Sequence, residues 1–267
     1  MIYRESYPSA SLLSVIDRYW SIDYEGSVDA PIEPVLPDGC PEIVFNLADR
    51  FQRILTYGEP ETQASAIVSG QIRRRILIRP TGSVSLFGVR FRPHAAAGFL
   101  GVAMSSLTDQ VVALESVVGG LSGELESGIA EAATFEDRVA VVETALKSCR
   151  SNTDVSIAAG LTEMISYSGG RMSVRELVDR TGIGERRIER MFDKYVGVSP
   201  KVFSRIVRFR GVVRSIEAAN SFSLLDTALS FGYFDQSHMI HEFNEFAGTS
   251  PLGYFEQTHR LSELFTS

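Results

Sequence analysis

Hydrophobic and polar positions change their period along the chain. Over the first ninety residues, short alternating or β-rich runs (YWSIDYE, IEPVLP, EIVFNL, RILTYG, AIVSG, RILIRP, VSLFGVRF) are separated by turn signals such as Pro37-Asp38-Gly39. Runs of this length with turn residues between them predict a small barrel or sandwich. Leu12, Leu13, Ile16, Tyr19 and Trp20 fall near helical spacing, which predicts an N-terminal helix packed on the sheet. After Pro93 the period lengthens through HAAAGFLG and LTDQVVALESVVGG, and helices are expected near 121–132 and 136–150, the second with Val139, Val142 and Leu146 on one face. The polar stretch SCRSNTD, 148–154, marks a boundary, with Asp154 placed to cap the next helix. The expected organisation is an α+β chain of two domains: residues 1–150, a β-barrel with appended helices, and residues 154–267, all helical.

The helical half contains a repeat. Gly182 precedes Ile188, Phe192, Gly197 and Ser199-Pro200, and Gly232 precedes Met239, Phe243, Gly248 and Ser250-Pro251, with a constant offset of 51 from the apolar anchor onward. Between the copies runs one long helix, capped by Ser199 with Pro200 in its first turn and carrying Phe203, Ile206, Phe209, Val213 and Ile216 inward. Each copy reads as a short amphipathic helix, a glycine turn and a second helix, the anatomy of a helix-turn-helix. In the first copy Ile188, Met191, Phe192 and Tyr195 follow i, i+3, i+4, i+7 and face a core, which leaves Arg186, Glu189 and Arg190 outward, with Arg187 and Lys194 on the flanks. In the second copy Asp235 caps the helix, and with Met239 and Phe243 inward the outer face is Gln236, Ser237, Ile240 and His241.

Charge sharpens this picture. The 267-residue chain carries a formal charge of −7, yet residues 171–210 hold 11 Lys/Arg against five Asp/Glu. A basic block inside an acidic chain is an electrostatic footprint that the bulk charge hides. Two arginines four residues apart near the start of a helix suit guanine O6/N7 in a major groove, while flanking cations suit phosphates; Gln236 suits adenine, and Ile240 a thymine methyl. Double-stranded DNA is therefore the expected partner. Glu242 and Glu245, expected beside His241 on the surface, would oppose phosphate and weaken the second unit.

With its two helix-turn-helix units, linking helix and repeated G-x-S-P, the segment from 154 to about 257 resembles the DNA-binding domain of the AraC/XylS family of bacterial transcription regulators. The resemblance implies base reading by Arg186, Glu189 and Arg190 and by Gln236, Ser237, Ile240 and His241, with the two helices in successive major grooves. It also implies transcription regulation, with contact to the transcription machinery. Ala228 keeps the small residue the family favours in each first helix, whereas the first unit has Val178; Gly184 stands where a capping serine is usual, and Gly211 interrupts the linking helix. LPDGCPEIVFNL, GVRFRPHAAAGFLG and LTDQVVALESVVG resemble a sensor-type domain found ahead of such DNA-binding domains. In related regulators a cupin-like barrel binds a small molecule or dimerises, which implies an unknown small-molecule effector and a homodimer through residues 1–150.

Other classes are less well supplied. Two cysteines, Cys40 and Cys149, lack the spacing for a four-thiolate zinc site or a disulfide framework, and no metal or cofactor is expected. A cupin-like metal- or effector-binding enzyme would need clustered histidines, but only His94 of four lies in the first domain, so no catalytic residue is assigned. A protein-interaction module that has lost DNA binding is the other rival, motivated by the acidic second unit. Without a leader-like start or a long apolar run, the expected location is the cytoplasm, away from membranes.

Overall fold

The computed structural model describes residues 1–26, 30–147, 153–218 and 223–256. Ten strands precede most of the helices: β1 (Ile2–Ser6), β2 (Ile16–Tyr24), β3 (Glu33–Val35), β4 (Glu42–Asn46), β5 (Phe51–Ile54), β6 (Glu61–Thr62), β7 (Ala66–Ser69), β8 (Ile76–Pro80), β9 (Val84–Phe91) and β10 (Val111–Ala113). They form two antiparallel sheets, one in the order β1-β2-β9-β4-β7-β10 and one in the order β3-β8-β5-β6. The larger sheet is covered on both faces, which explains why β4 is buried along its whole length. Trp20, Ile22, Val44, Phe51, Ile67, Ile78 and Leu86 fill the space between the sheets. Tyr19, Ile43, Phe45, Phe87, Val89 and Phe91 point the other way, toward helices.

Those helices are α1 (Ala96–Leu100), α2 (Glu115–Val118), α3 (Leu121–Glu131) and α4 (Phe135–Leu146). Thr134 and Asp137 close a reciprocal capping box at the start of α4, whose Val142 and Leu146 are buried against the sheet with Val139 beside them. Most of the expected boundary, 148–152, lies outside the described residues, as does Cys149. Asp154, expected as a cap, sits inside the first turn of α5 (Thr153–Tyr167).

The expected N-terminal helix is absent; only a single 3-10 turn, Ala10–Leu12, precedes β2. Its apparent helical spacing has a physical origin. Ile16 pairs with Phe91 and Arg18 with Arg90, so one extra residue bulges between them. That bulge puts Ile16 and Tyr19 on one face at a spacing of three, while Trp20 turns to the opposite face. Trp20 then lies across Gly88, where a Cβ would come within 1.9 Å of the indole.

The remaining helices are α6 (Val174–Thr181), α7 (Glu185–Met191), α8 (Pro200–Glu217), α9 (Leu224–Ser230), α10 (Gln236–Ala247) and α11 (Pro251–Glu256), with a π-helical turn, Phe192–Val196, after α7. Their core joins Leu177, Ile188, Phe192, Phe203, Ile206, Phe209, Val213, Met239, Phe243 and Phe246. Leu36 from the β half is buried in the same cluster, because the LPDGCPE loop docks on α8. Gly39, at φ +84, leaves room for the Phe203 ring, and Arg210 donates to the Asp38 carbonyl at 3.1 Å. Beneath the loop the buried Arg90 guanidinium meets Asp38, Glu42 at 2.8 Å and Asp17 at 3.6 Å. Burial pushes the Glu42 carboxyl up to about 7 and raises the Cys40 thiol, in keeping with a structural cysteine.

Candidate nucleic-acid interface

The internal repeat is a repeat of structure. Ser173 caps α6 in a capping box with Glu176, and Ser223 caps α9 by accepting from Asp226 N. Gly182 (φ +69) and Gly232 (φ +76) make the two turns in the left-handed region, where a side chain would be strained. Gly197 and Gly248 end the second helices in the same conformation, and Pro200 and Pro251 open the helices that follow. Ser199 accepts from Val202 N at 3.3 Å, starting α8, whose 18 residues span about 27 Å.

On α7, Ile188 and Met191 are buried with Phe192 and Tyr195 of the following turn. Arg186, Arg187, Glu189, Arg190 and Lys194 are all exposed. Arg186 and Arg190 have no ion-pair partner among the described residues, so their guanidinium groups are available to an external acceptor. Arg187 differs: its Nη2 lies 3.4 Å from Asp154 Oδ1, a half-exposed pair that leaves the flank less cationic than the residue types imply. Lys194 Nζ stands 5.1 Å from the centre of the Tyr195 ring. Gly184 opens α7 without a side-chain cap.

Asp235 caps α10 as expected, accepting from His238 N at 2.7 Å. Ser237 and His241 are exposed and Gln236 and Ile240 half-buried, on the side opposite Met239 and Phe243. Glu242 contradicts the sequence reading. It is 2% exposed, and its carboxylate accepts from Arg205 Nε at 2.7 Å, Arg208 Nη2 at 3.4 Å and Tyr233 Oη at 2.8 Å. Arg205 Nη2 also donates to Glu245 at 2.6 Å, which holds that carboxyl below its ordinary range. The two acids therefore tie α10 to α8 and do not present bare charge to a phosphate. Seen along the helix, Glu242 is at i+3 from Met239 and so shares its inward side, a placement that its charge obscured.

Lys201, Arg205 and Arg208 on α8, Arg171 before α6, and His238 and His241 on α10 line one groove of about 670 Å³ between the two units. Arg205 and Arg208 were legible as part of the basic block, but their partners on α10 were not. Gly211 also has a reason invisible in the sequence: a Cβ there would come within 2.5 Å of the Phe231 ring, so the glycine lets α9 approach α8. Val178 is half-buried and Ala228 fully buried at the equivalent positions of the first helices.

Elsewhere, the space between the two sheets is only about 60 Å³. A larger pocket of about 220 Å³ lies where Leu12, Val15 and His94 of the β half face Leu146, Val155 and Ala159. His94 is 3% exposed, with Nδ1 3.2 Å from Thr162 Oγ1, and burial lowers its pKa to about 4. It is a buried neutral imidazole between the halves. No helix among the described residues is long and apolar enough to cross a membrane.

Residues 177–257 match the model of a family described as a helix-turn-helix domain, and residues 4–113 match that of a domain of unknown function. No curated protein matches the chain in sequence. Among solved structures it is similar to ToxT from Vibrio cholerae, at 11% identity and a TM-score of 0.48 over 89% of this chain and 97% of that one. A ToxT structure from the same organism with an unsaturated fatty acid bound is similar at 11% identity and 0.48, over 89% and 94%. The AraC-like transcriptional activator CuxR follows at 14% identity and 0.28, over 80% and 86%.

Repeated fold, exposed second helices and family match together define a class for the C-terminal part: a helix-turn-helix domain built of paired units. That domain is of the AraC type, preceded by the β-rich domain of unknown function.

Proposed function

We propose that the chain binds specific promoter or operator sequences through α7 and α10 and that its β-rich part senses a small organic molecule. The observation that carries the first half is the pair of free arginines on α7, presented by a unit whose copy is held at the other end of one rigid helix. Arg186 and Arg190 stand one turn apart and outward, the arrangement that places two guanidinium groups on base edges of one groove segment. Lys194 and Arg187 flank them toward the phosphates. Gln236, Ser237, Ile240 and His241 form the reading face of α10, and Glu189 is positioned to accept from a cytosine amino group. With Glu242 held by Arg205 and Arg208 and Glu245 paired with Arg205, the two units are more nearly equal readers than charge counts along the chain imply. For the sensing half, the pocket beside His94 is roomier than the space between the sheets, and its mixed lining, Leu12, Val15, Leu146 and Val155 with Ser11, Ser14, Ser156 and Lys147, favours a largely apolar molecule bearing an acid group.

Selection of bound duplexes from random DNA, followed by titration of variants on the selected site, tests the DNA reading. Arg186→Ala and Arg190→Ala are each expected to cost about 1–3 kcal/mol on the selected site and to relax preference at one or two base pairs. Failure to select any sequence, or equal losses on selected and scrambled duplexes, refutes base reading by α7.

A further inference from the structure

The β half carries three consecutive arginines, Arg73, Arg74 and Arg75, in the loop entering β8. That loop rests on the last turn of α10. Arg75 N donates to the Phe246 carbonyl at 2.8 Å, and the absence of a side chain at Gly248 leaves space for the Arg75 guanidinium, to whose Nε a Cβ would come within 2.5 Å. Arg75 is thus a docking residue, placed where a cation offsets the negative end of a helix. Arg73 is also occupied: its backbone N and its Nε each lie 2.7 Å from the Asp109 carboxylate. Arg74, between them, is exposed and makes no hydrogen bond or close ion pair among the described residues, although it shares a cleft with Glu245.

Its position relative to the reading face follows from α10. His241 and Glu245 are one turn apart on one side of the helix, about 6 Å along the axis. Glu245 shares a cleft with Arg73, Arg74 and Arg75. Glu245 lines both this cleft and the groove that holds His241, so the arginine loop adjoins the reading side of α10. A recognition helix reads bases from its N-terminal residues while its C-terminal end approaches the sugar-phosphate backbone. The C-terminal end of α10 has no cation of its own: at the repeat's offset of 51, Glu245 stands where the first unit has Lys194.

We infer that Arg74 is a phosphate-binding residue of the second unit, supplied from the β-rich domain, so that DNA is gripped at that half-site by both domains at once. The inference rests on the DNA-binding reading above and adds a partner contact outside the helix-turn-helix units. It makes the grip of α10 depend on how the β half is seated, since Arg75 and Phe246 hold the loop in place.

The test is a fluorescence-anisotropy titration of the full chain on a selected duplex and a scrambled one, at several salt concentrations between 50 and 200 mM. Loss of one phosphate contact lowers the slope of log affinity against log salt by about 0.9, and lowers affinity roughly five- to tenfold near 0.1 M salt. Arg74→Ala is expected to show both changes on both duplexes, with an unfolding midpoint equal to that of the unaltered chain, and Arg74→Lys is expected to restore the slope. An unchanged slope and affinity in Arg74→Ala, while the unaltered chain binds with a steep salt dependence, overturns the inference and leaves the DNA reading intact. Tighter binding by Arg74→Ala also overturns it, because the loop would then obstruct the duplex. If the unaltered chain binds neither duplex, the DNA reading itself fails and this inference falls with it.

Discussion

Replacing Gly211 by alanine sets two physical effects against each other with opposite signs. A glycine in the middle of an 18-residue helix is unfavourable, and alanine there should stabilise by about 0.5–1 kcal/mol through backbone entropy. The structure opposes this, because the new Cβ would lie 2.5 Å and 2.7 Å from two ring carbons of Phe231. Carbon atoms pack favourably at about 3.5–4.0 Å, so ring or helix must yield by about 1 Å. Phe231 has little freedom to do so. It ends α9, its N–H bonds the Thr227 carbonyl at 3.1 Å, and its ring packs on the helical core. Overpacking of this kind costs about 1–3 kcal/mol, which leaves a net destabilisation of about 1 kcal/mol. Urea unfolding at 25 °C followed by helical circular dichroism should show a lower midpoint at unchanged slope. The decisive comparison is a double-mutant cycle with Phe231→Ala. Without the ring, Gly211→Ala should stabilise, and the sign of its effect should reverse. A stabilising Gly211→Ala in the chain that retains Phe231 would refute the packing argument and return Gly211 to an ordinary helix interruption. Because α9 leads into α10, the same substitution should also weaken DNA binding more on the selected than on the scrambled duplex.

Glu242→Lys should destabilise strongly, not strengthen non-specific binding as surface charge would suggest. Removing a buried partner of Arg205 and Arg208 costs about 3–5 kcal/mol, and the lysine adds a third cation beside them, so thermal unfolding should move down markedly, with a smaller loss for Glu242→Gln. His94 gives a pH signature. Its folded-state pKa, about 4, lies below the ordinary 6.5, so the unfolded chain takes up the proton first and stability falls as pH drops from about 6.5 toward 4. Between pH 7 and 5 this loss amounts to about 2 kcal/mol. A His94→Gln variant should show a correspondingly flatter profile in denaturant midpoints, and an equal slope in both proteins would contradict the assignment of a buried neutral imidazole.

Local patterns made much of the helical half legible. Gly182, Gly197, Gly232 and Gly248 mark backbone conformations that little else tolerates, and Ser199-Pro200 marks a helix start, because these signals depend only on a residue and its immediate neighbours. Their recurrence at a constant offset revealed two units and a linker. The outward placement of Arg186 and Arg190 followed from the inward placement of Ile188 and Met191, since helical periodicity assigns both faces together. The same reasoning failed at Ile16, Tyr19 and Trp20, where a bulge set by pairing with β9 imitated a helical repeat. It failed again at Glu242, whose burial needs Arg205 and Arg208 from another helix and Tyr233 from the preceding turn.

What the amino-acid order determined by itself is periodicity, turns and caps, and hence two kinds of domain and the outward face of each second helix. Only tertiary structure decided which charges remain available. Arg90, Arg205 and Arg73 are occupied by acids distant in the chain, whereas Arg186, Arg190 and Arg74 are not, and nothing local separates the two sets. Burial and ion pairing depend on which surfaces the folded chain brings together, here LPDGCPE against α8 and the arginine loop against α10. Those are contacts between residues far apart in sequence, and no window along the chain contains both partners.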